Sequence, residues 1–229
     1  TPTLAMLVER AGQISNFQKE KYFNVELDCD GIPAVKSKIF DPDEAEQLRS
    51  RCQGSEAIVT AVKEAEKKVK APKLYDLTTL QREANRIYGM TAKQTLDTAQ
   101  SLYEKKLITY PRTDSQYLTE DMEQTARNVV RQIYEKYQLT GPFDQPEQPD
   151  VKKVMNNSKV TDHHAIIPTM ELTSCHMDEL KSWEEKILFL IAVHTVMAMS
   201  KDHIYQETEI EVECQGEVFK TKGKTVLQD

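Results

Sequence analysis

Tyr110 stands two residues before Arg112 in the run Leu107-Ile-Thr-Tyr-Pro-Arg-Thr-Asp-Ser115. A free phenol has a pKa near ~10, so roughly one in a thousand is ionised at pH 7. A guanidinium fixed nearby favours the phenolate and itself stays protonated. Its planar fork also suits phosphate oxygens. A tyrosine so placed can attack phosphorus, and the resulting phosphotyrosine diester would conserve the broken bond as a covalent intermediate. The same run supplies Thr109, Thr113, Asp114 and Ser115. A second polar run, Val160-Thr-Asp-His-His-Ala-Ile-Ile-Pro-Thr169, sets His163 and His164 after an acid and before an apolar anchor. Outside any wider context, a Tyr-Pro closing an element is most often a packed tyrosine, and a single histidine a surface or core-edge one. The surrounding elements have to decide.

Those elements read as helices in the middle of the chain and strands at its ends. Thr78-x-x-Gln81 and Thr91-x-x-Gln94 both fit the capping-box pattern. The first helix carries Leu80, Ala84, Ile87 and Tyr88 and stops at Gly89; the second carries Leu96, Ala99, Leu102 and Tyr103. It runs into a short strand-like exit, Leu107 to Tyr110, which Pro111 ends. Two short helices and a strand fit a helix-turn-helix or winged-helix unit. Thr119 is expected to cap a third helix with Met122, Ala126, Val129, Val130 and Ile133 on its buried face, and Ser182-x-x-Glu185 to open a fourth. Three prolines between Gly141 and Asp150 predict a loop.

Towards the start, Leu4, Leu7, Val8 and Ala11 fall at helical spacing, and Phe23 to Cys29 alternates before an Asp30-Gly31 turn and a return strand to Phe40. Asp41-Pro42-Asp43-Glu44 opens a helix with Ala45, Leu48 and Cys52 inward. Ala57 to Val69 predicts a strand followed by a charged extension. Ile204 to Cys214 alternates with acids, Gln215-Gly216 turns the chain, and Val218 to Leu227 returns as a strand interrupted at Gly223. The acids of Glu207 to Glu213 read as a solvated strand face.

Composition bounds the answer loosely. A chain of 229 residues that is 39% hydrophobic can build a core, and no apolar run approaches the ~20 residues needed to cross a bilayer. Cys29, Cys52, Cys175 and Cys214 lie far apart with no C-x-x-C, poor spacing for zinc and unlike a small disulfide scaffold. The net charge of −7 points away from a phosphate-binding surface, although Gln81 to Arg112 is mildly basic. There is no G-x-x-x-x-G-K-[ST] loop for ATP.

Taken in order, Leu77-Thr-Thr-Leu-Gln-Arg-Glu-Ala-Asn, Lys93-Gln-Thr-Leu-Asp-Thr-Ala-Gln-Ser-Leu-Tyr-Glu and Ile108-Thr-Tyr-Pro-Arg-Thr-Asp-Ser resemble the type IA DNA topoisomerases. The proline after Tyr110 and Asp162-His-His-Ala-Ile-Ile-Pro-Thr look like the topoisomerase III branch, and Thr1 to Arg10 looks like the element before that family's arch-forming β domain. The resemblance implies an α+β, multidomain chain in which a mainly helical, winged-helix-like domain is inserted into a β-rich arch. Residues 1–21 would end a preceding helical domain, 22–74 and 169–229 would form the two parts of the arch, and 75–168 would carry the tyrosine. By the same resemblance Tyr110 is the nucleophile on single-stranded DNA, forming a 5′-phosphotyrosine link and releasing a 3′-hydroxyl. Arg112 positions the scissile phosphate or offsets its charge, and His163 contacts the phosphate near the break. Thr109, Thr113, Asp114 and Ser115 shape the loop, and His164 is a branch feature near the DNA without an assigned role. The family's Mg2+ would bind an acidic cluster in a Toprim domain, for which no D-x-D-x-E pattern occurs here. The chain is therefore expected to be an inactive central piece that works with the remaining domains of its polypeptide, in a bacterial cytoplasm at the nucleoid, with a helicase among its candidate partners and no membrane partner.

Two other classes stay open on the residues alone. A non-catalytic winged-helix module would bind duplex DNA, but Thr91 to Lys106 is not strongly basic. A relaxase-type nicking enzyme also uses tyrosine and histidines, but it needs them on one face of a strand. His163 and His164, if they lay in a strand, would face opposite ways.

Overall fold

The computed structural model describes residues 1–139 and 149–228. The predicted loop from Gly141 to Asp150 lies, except for its last two residues, outside them. The elements in chain order are α1 (Pro2–Ser15), β1 (Phe23–Cys29), β2 (Ile32–Ile39), α2 (Pro42–Cys52), β3 (Ile58–Val69), α3 (Leu77–Tyr88), α4 (Ala92–Glu104), α5 (Glu123–Tyr137), α6 (Ser182–Ala198), β4 (His203–Cys214) and β5 (Glu217–Gln228). The class is mixed helix and strand, as expected. The chain divides into two compact units, one of Thr1–Lys67 with Tyr205–Thr225, the other of Lys68–Ile204 with Val226–Asp229.

The first unit is built on a five-stranded sheet of order β1-β2-β5-β4-β3. β1 and β2 form an antiparallel hairpin in which Cys29 faces Ile32 and Phe23 faces Ile39, with a bulge between Phe23 and Val25. Asp30 and Gly31 both have positive φ, the backbone a two-residue hairpin turn requires. One face of the sheet packs on α2, burying Val25, Ala34, Leu48, Cys52, Val212, Cys214 and Phe219 in one cluster. α2 starts as its sequence dictates: Asp41 caps it by accepting from the Asp43 amide, and Ala45, Leu48 and Cys52 are its buried stripe. Two expectations for the strands change. β3 runs unbroken to Val69, so its Lys/Glu tail is strand, and β5 passes through Gly223 without a break. The acids of β4 are not simply solvated: Glu211 pairs with Lys63 and Lys220, and Glu209 with Lys222, a cross-strand ladder of opposite charges.

The second unit is helical. Leu80 and Ala84 of α3, Ala99 and Leu102 of α4, Val129, Val130 and Ile133 of α5, and Ile187, Leu188, Ile191 and Ala192 of α6 share one core. Residues 169–204 thus pack with the tyrosine-bearing helices, because α6 is apolar over most of its circumference and needs that core. Ile87, expected inward, is 46% exposed. The helix starts also shift. α3 is capped at Asp76, whose carboxylate accepts from the Thr79 amide, instead of at Thr78. Thr119 precedes a single 3-10 turn, without a side-chain capping bond, and α5 follows it. At α6 it is Glu184 that accepts from the Lys181 amide. Thr91 and Gln94 do form the predicted reciprocal box.

Candidate active site

Tyr110 follows three residues that are stitched to the histidine-bearing run. The Thr109 amide donates to the Ile167 carbonyl at 2.9 Å, and the Thr169 amide to the Leu107 carbonyl at 3.0 Å. The Thr109 hydroxyl closes the same ladder twice, donating to the Ala165 carbonyl at 2.8 Å and accepting from the Ile167 amide at 3.0 Å. On the other flank Ile166 pairs with Tyr75, at the entrance to α3. Ile108, Ala165, Ile166 and Ile167 are buried in the helical core, so these apolar residues anchor the polar ends of both runs. The ladder is short because Pro111 and Pro168, having no N–H, cannot extend it.

Beyond the ladder the chain turns and is held by two more side chains. Thr113, 7% exposed, donates from its hydroxyl to the His163 carbonyl at 3.1 Å, and its own carbonyl accepts from the Leu77 amide at 3.0 Å. Ser115, 5% exposed, donates to the Lys159 carbonyl at 2.9 Å. Two hydroxyls thus fasten the loop to the segment that carries His163.

The result is an aromatic setting for the phenol. The Tyr110 and His163 rings lie 4.3 Å apart at 45°, and Tyr103, one helix back on α4, meets Tyr110 edge-on at 5.3 Å and 76°. The half-buried Tyr110 ring is therefore fixed on two sides, which lowers the entropy lost in any reaction at its oxygen. Arg112 is exposed and in no ion pair among the described residues, leaving its fork available to an anion. Asp114 is exposed too. His164 is half-buried and makes no hydrogen bond or ring contact among the described residues. His163 sits in a bend and His164 in irregular chain, neither in a strand, so strand alternation does not apply to them; the contact with Tyr110 singles out His163.

The helices beneath this site are tied by a buried carboxylate. Glu184, 3% exposed, accepts from Ser101 Oγ at 2.6 Å, Lys105 Nζ at 2.7 Å and the Lys181 amide at 2.9 Å. Burial pushes its carboxyl up, but the Lys105 and Ser101 donors and the Lys181 amide outweigh it and hold the group at about 2. This joins the end of α4, next to the Tyr110 run, to the start of α6. Among the described residues no group of three or more His, Cys, Asp or Glu side chains converges as a metal site. The four cysteines are free thiols, with Cys52 and Cys214 buried.

A family model described as DNA topoisomerase matches residues 1–229, the whole chain. The chain belongs to the type IA DNA topoisomerase family. Its curated relatives include proteins named DNA topoisomerase 3 from Bacillus subtilis, 37% identical over 236 residues, and from Staphylococcus epidermidis, 35% identical over 228. They cover 99% and 97% of this chain, which in turn spans 32% of each relative. A solved structure of full-length topoisomerase I from Thermotoga maritima superposes over 98% of the chain with a TM-score of 0.70 and 26% identity, covering 37% of that protein.

Within this topoisomerase chain, tertiary contacts gather Tyr110, Thr109, Thr113, Ser115 and His163 at one place. Arg112 and Asp114 share their loop but have no partner among the described residues, and His164 stands beside the group without joining it. Tyr103 escaped the sequence reading, which placed it on the buried face of α4; it is 39% exposed and packs on Tyr110. Its position seven residues before Tyr110 carries no periodic signal, since the chain leaves the helix between them. No helix among the described residues is long and apolar enough to cross a membrane.

Proposed function

We propose that this chain carries the DNA-cleaving tyrosine of a type IA topoisomerase and that Tyr110 is that residue. The observation behind the proposal is the Tyr110–His163 pair, held at 4.3 Å by a ladder and two buried hydroxyls. In the reaction, Tyr110 Oη bonds to a backbone phosphorus of single-stranded DNA as the bond from phosphorus to O3′ breaks. The phenol gives up its proton and the departing 3′-oxygen gains one. One phosphodiester replaces another, so the reverse attack by the 3′-hydroxyl reseals the strand without ATP. Arg112 offsets charge developing on the phosphate oxygens, and His163 donates to them from beside the nucleophile.

The chain spans about a third of its relatives, and we assign it the tyrosine half of a divided site. Among the described residues no three His, Cys, Asp or Glu side chains gather, and in this reading Mg2+ would be held by other parts of the polypeptide. The isolated chain should neither relax supercoiled DNA nor cleave efficiently, and a helicase partner would act on the whole protein.

The test is adduct mapping on the full-length protein with a labelled single-stranded oligonucleotide. The label should be recovered on the peptide containing Tyr110, and Tyr110→Phe should abolish the adduct while retaining single-strand binding. Undiminished adduct in the phenylalanine variant would remove Tyr110 from the role. Robust magnesium-dependent relaxation by the 229-residue chain alone would overturn the divided site.

A further inference from the structure

Resting on that reading, we propose a second single-stranded DNA contact on the helical unit, where the Tyr117 ring stacks a nucleobase and Lys73, Lys159 and Arg82 hold the adjoining phosphates. Tyr117 is half-buried, and two ammonium groups stand over its ring, Lys73 Nζ at 5.6 Å and Lys159 Nζ at 5.0 Å from the centroid. Beside it opens a cleft of about 310 Å³ whose walls include Lys73, Arg82, Glu83, Gln116 and His194. Lys73, Lys159 and Arg82 are exposed and in no ion pair among the described residues. The carboxylate in the wall, Glu83, is instead neutralised by Arg86 at 2.6 Å. Both lysines end in flexible, unpaired ammonium groups that can swing from the ring to adjoining phosphates as a base takes the aromatic face, and cations beside an aromatic face are the combination that binds single strands without regard to sequence.

The floor is rigid. His194 stacks on buried Tyr75 with centroids 3.7 Å apart and an interplanar angle of 11°, and its Nε2 bonds the Lys73 carbonyl at 2.7 Å. Burial holds the imidazole below its ordinary pKa, so at neutral pH it offers the cleft an uncharged ring and hydrogen-bonding edge, not repulsion or attraction. The place is also continuous with the Tyr110 loop. Ser115 bonds the Lys159 carbonyl, Thr113 accepts from the Leu77 amide at the start of α3, and Tyr117 accepts from the Ala165 amide at 3.0 Å. A strand engaged at Tyr110 has, along this loop, a base-stacking ring and three cations to follow.

Fluorescence anisotropy of the 229-residue chain with a labelled oligothymidylate would test this. Tyr117→Leu should weaken binding roughly five-fold or more, from the size of base–aromatic stacking, and Tyr117→Phe should restore it. Lys73→Gln with Lys159→Gln should lower the slope of log affinity against log salt by about 1.4, at ~0.7 per phosphate contact on single strands. Lys224→Gln, a lysine over Tyr205 on the other unit, should change the slope by less than half of that. A 5-iodouracil oligonucleotide should photocrosslink to the peptide containing Tyr117. Unchanged affinity and slope in the Tyr117 and lysine variants would overturn this contact while leaving the cleavage role of Tyr110 standing. Failure of the chain to bind any single strand would overturn it as well, whereas loss of the Tyr110 adduct mapping alone would strike the cleavage role and not this surface.

Discussion

Thr109 makes the Tyr110 site as much as Tyr110 does. Its side chain donates to Ala165 and accepts from Ile167, so it spans the two runs that a distant sequence separation keeps apart. Thr109→Val preserves the volume but strands the Ile167 amide and the Ala165 carbonyl. The expected cost is about 1–3 kcal/mol for leaving such groups unmet, read from urea unfolding of the chain. In the full-length protein the cleavage rate should fall while single-strand affinity changes little, because the loss is in the placement of the phenol and not in the binding cations. If Thr109→Val unfolds at the same urea concentration as the parent, the ladder does not depend on this hydroxyl.

At the scale of elements, one carboxylate joins α4 to α6. Glu184 has a folded-state pKa of about 2, depressed from an ordinary value of 4.5, with three donors overcoming its burial. A depressed carboxyl contributes stability that is fully present above its unfolded pKa and lost as pH falls through the folded one. The stabilisation should therefore be complete above about pH 5 and should decline between pH 4.5 and 2. Glu184→Gln should cost about 1–3 kcal/mol at pH 7, and the gap between variant and parent should close over that acid window. A gap constant from pH 7 down to pH 2.5 would show that the carboxylate charge is not what joins the helices. Lys105 is 40% exposed, so solvent screens part of its attraction to the carboxylate.

For the molecule as a whole, two cores imply two stability domains. Phe219 is fully buried in the sheet cluster, whereas Ile166 is fully buried in the helical one, and the two clusters share no residue. Phe219→Ala should remove about 3–5 kcal/mol from the sheet unit. Hydrogen exchange should then quicken across β1, β2 and β5 while protection around Ile108 and Ile166 is retained. Equal loss of protection in both units would mean that they unfold as one.

Much of this was legible in the amino-acid order, and for a physical reason: it concerned local structure. The Asp30-Gly31 and Gln215-Gly216 turns, the Asp41 and Thr91 caps, the stripe of α2 and the alternation of β1 are all set within a few residues, where periodicity and capping chemistry act directly. So was the long ordered resemblance around Tyr110, which the family match over residues 1–229 bears out. Tertiary structure decided what depends on distant partners. The start of α3 moved to Asp76 because Thr79 answers that carboxylate, and α6 joined the helical core because its apolar surface had nowhere else to be buried. Most of all, residues 53 positions apart, Tyr110 and His163, became neighbours through Thr109 and Thr113. Sequence supplied the phenol and the imidazole; only the pairing of the two runs brought their rings into contact.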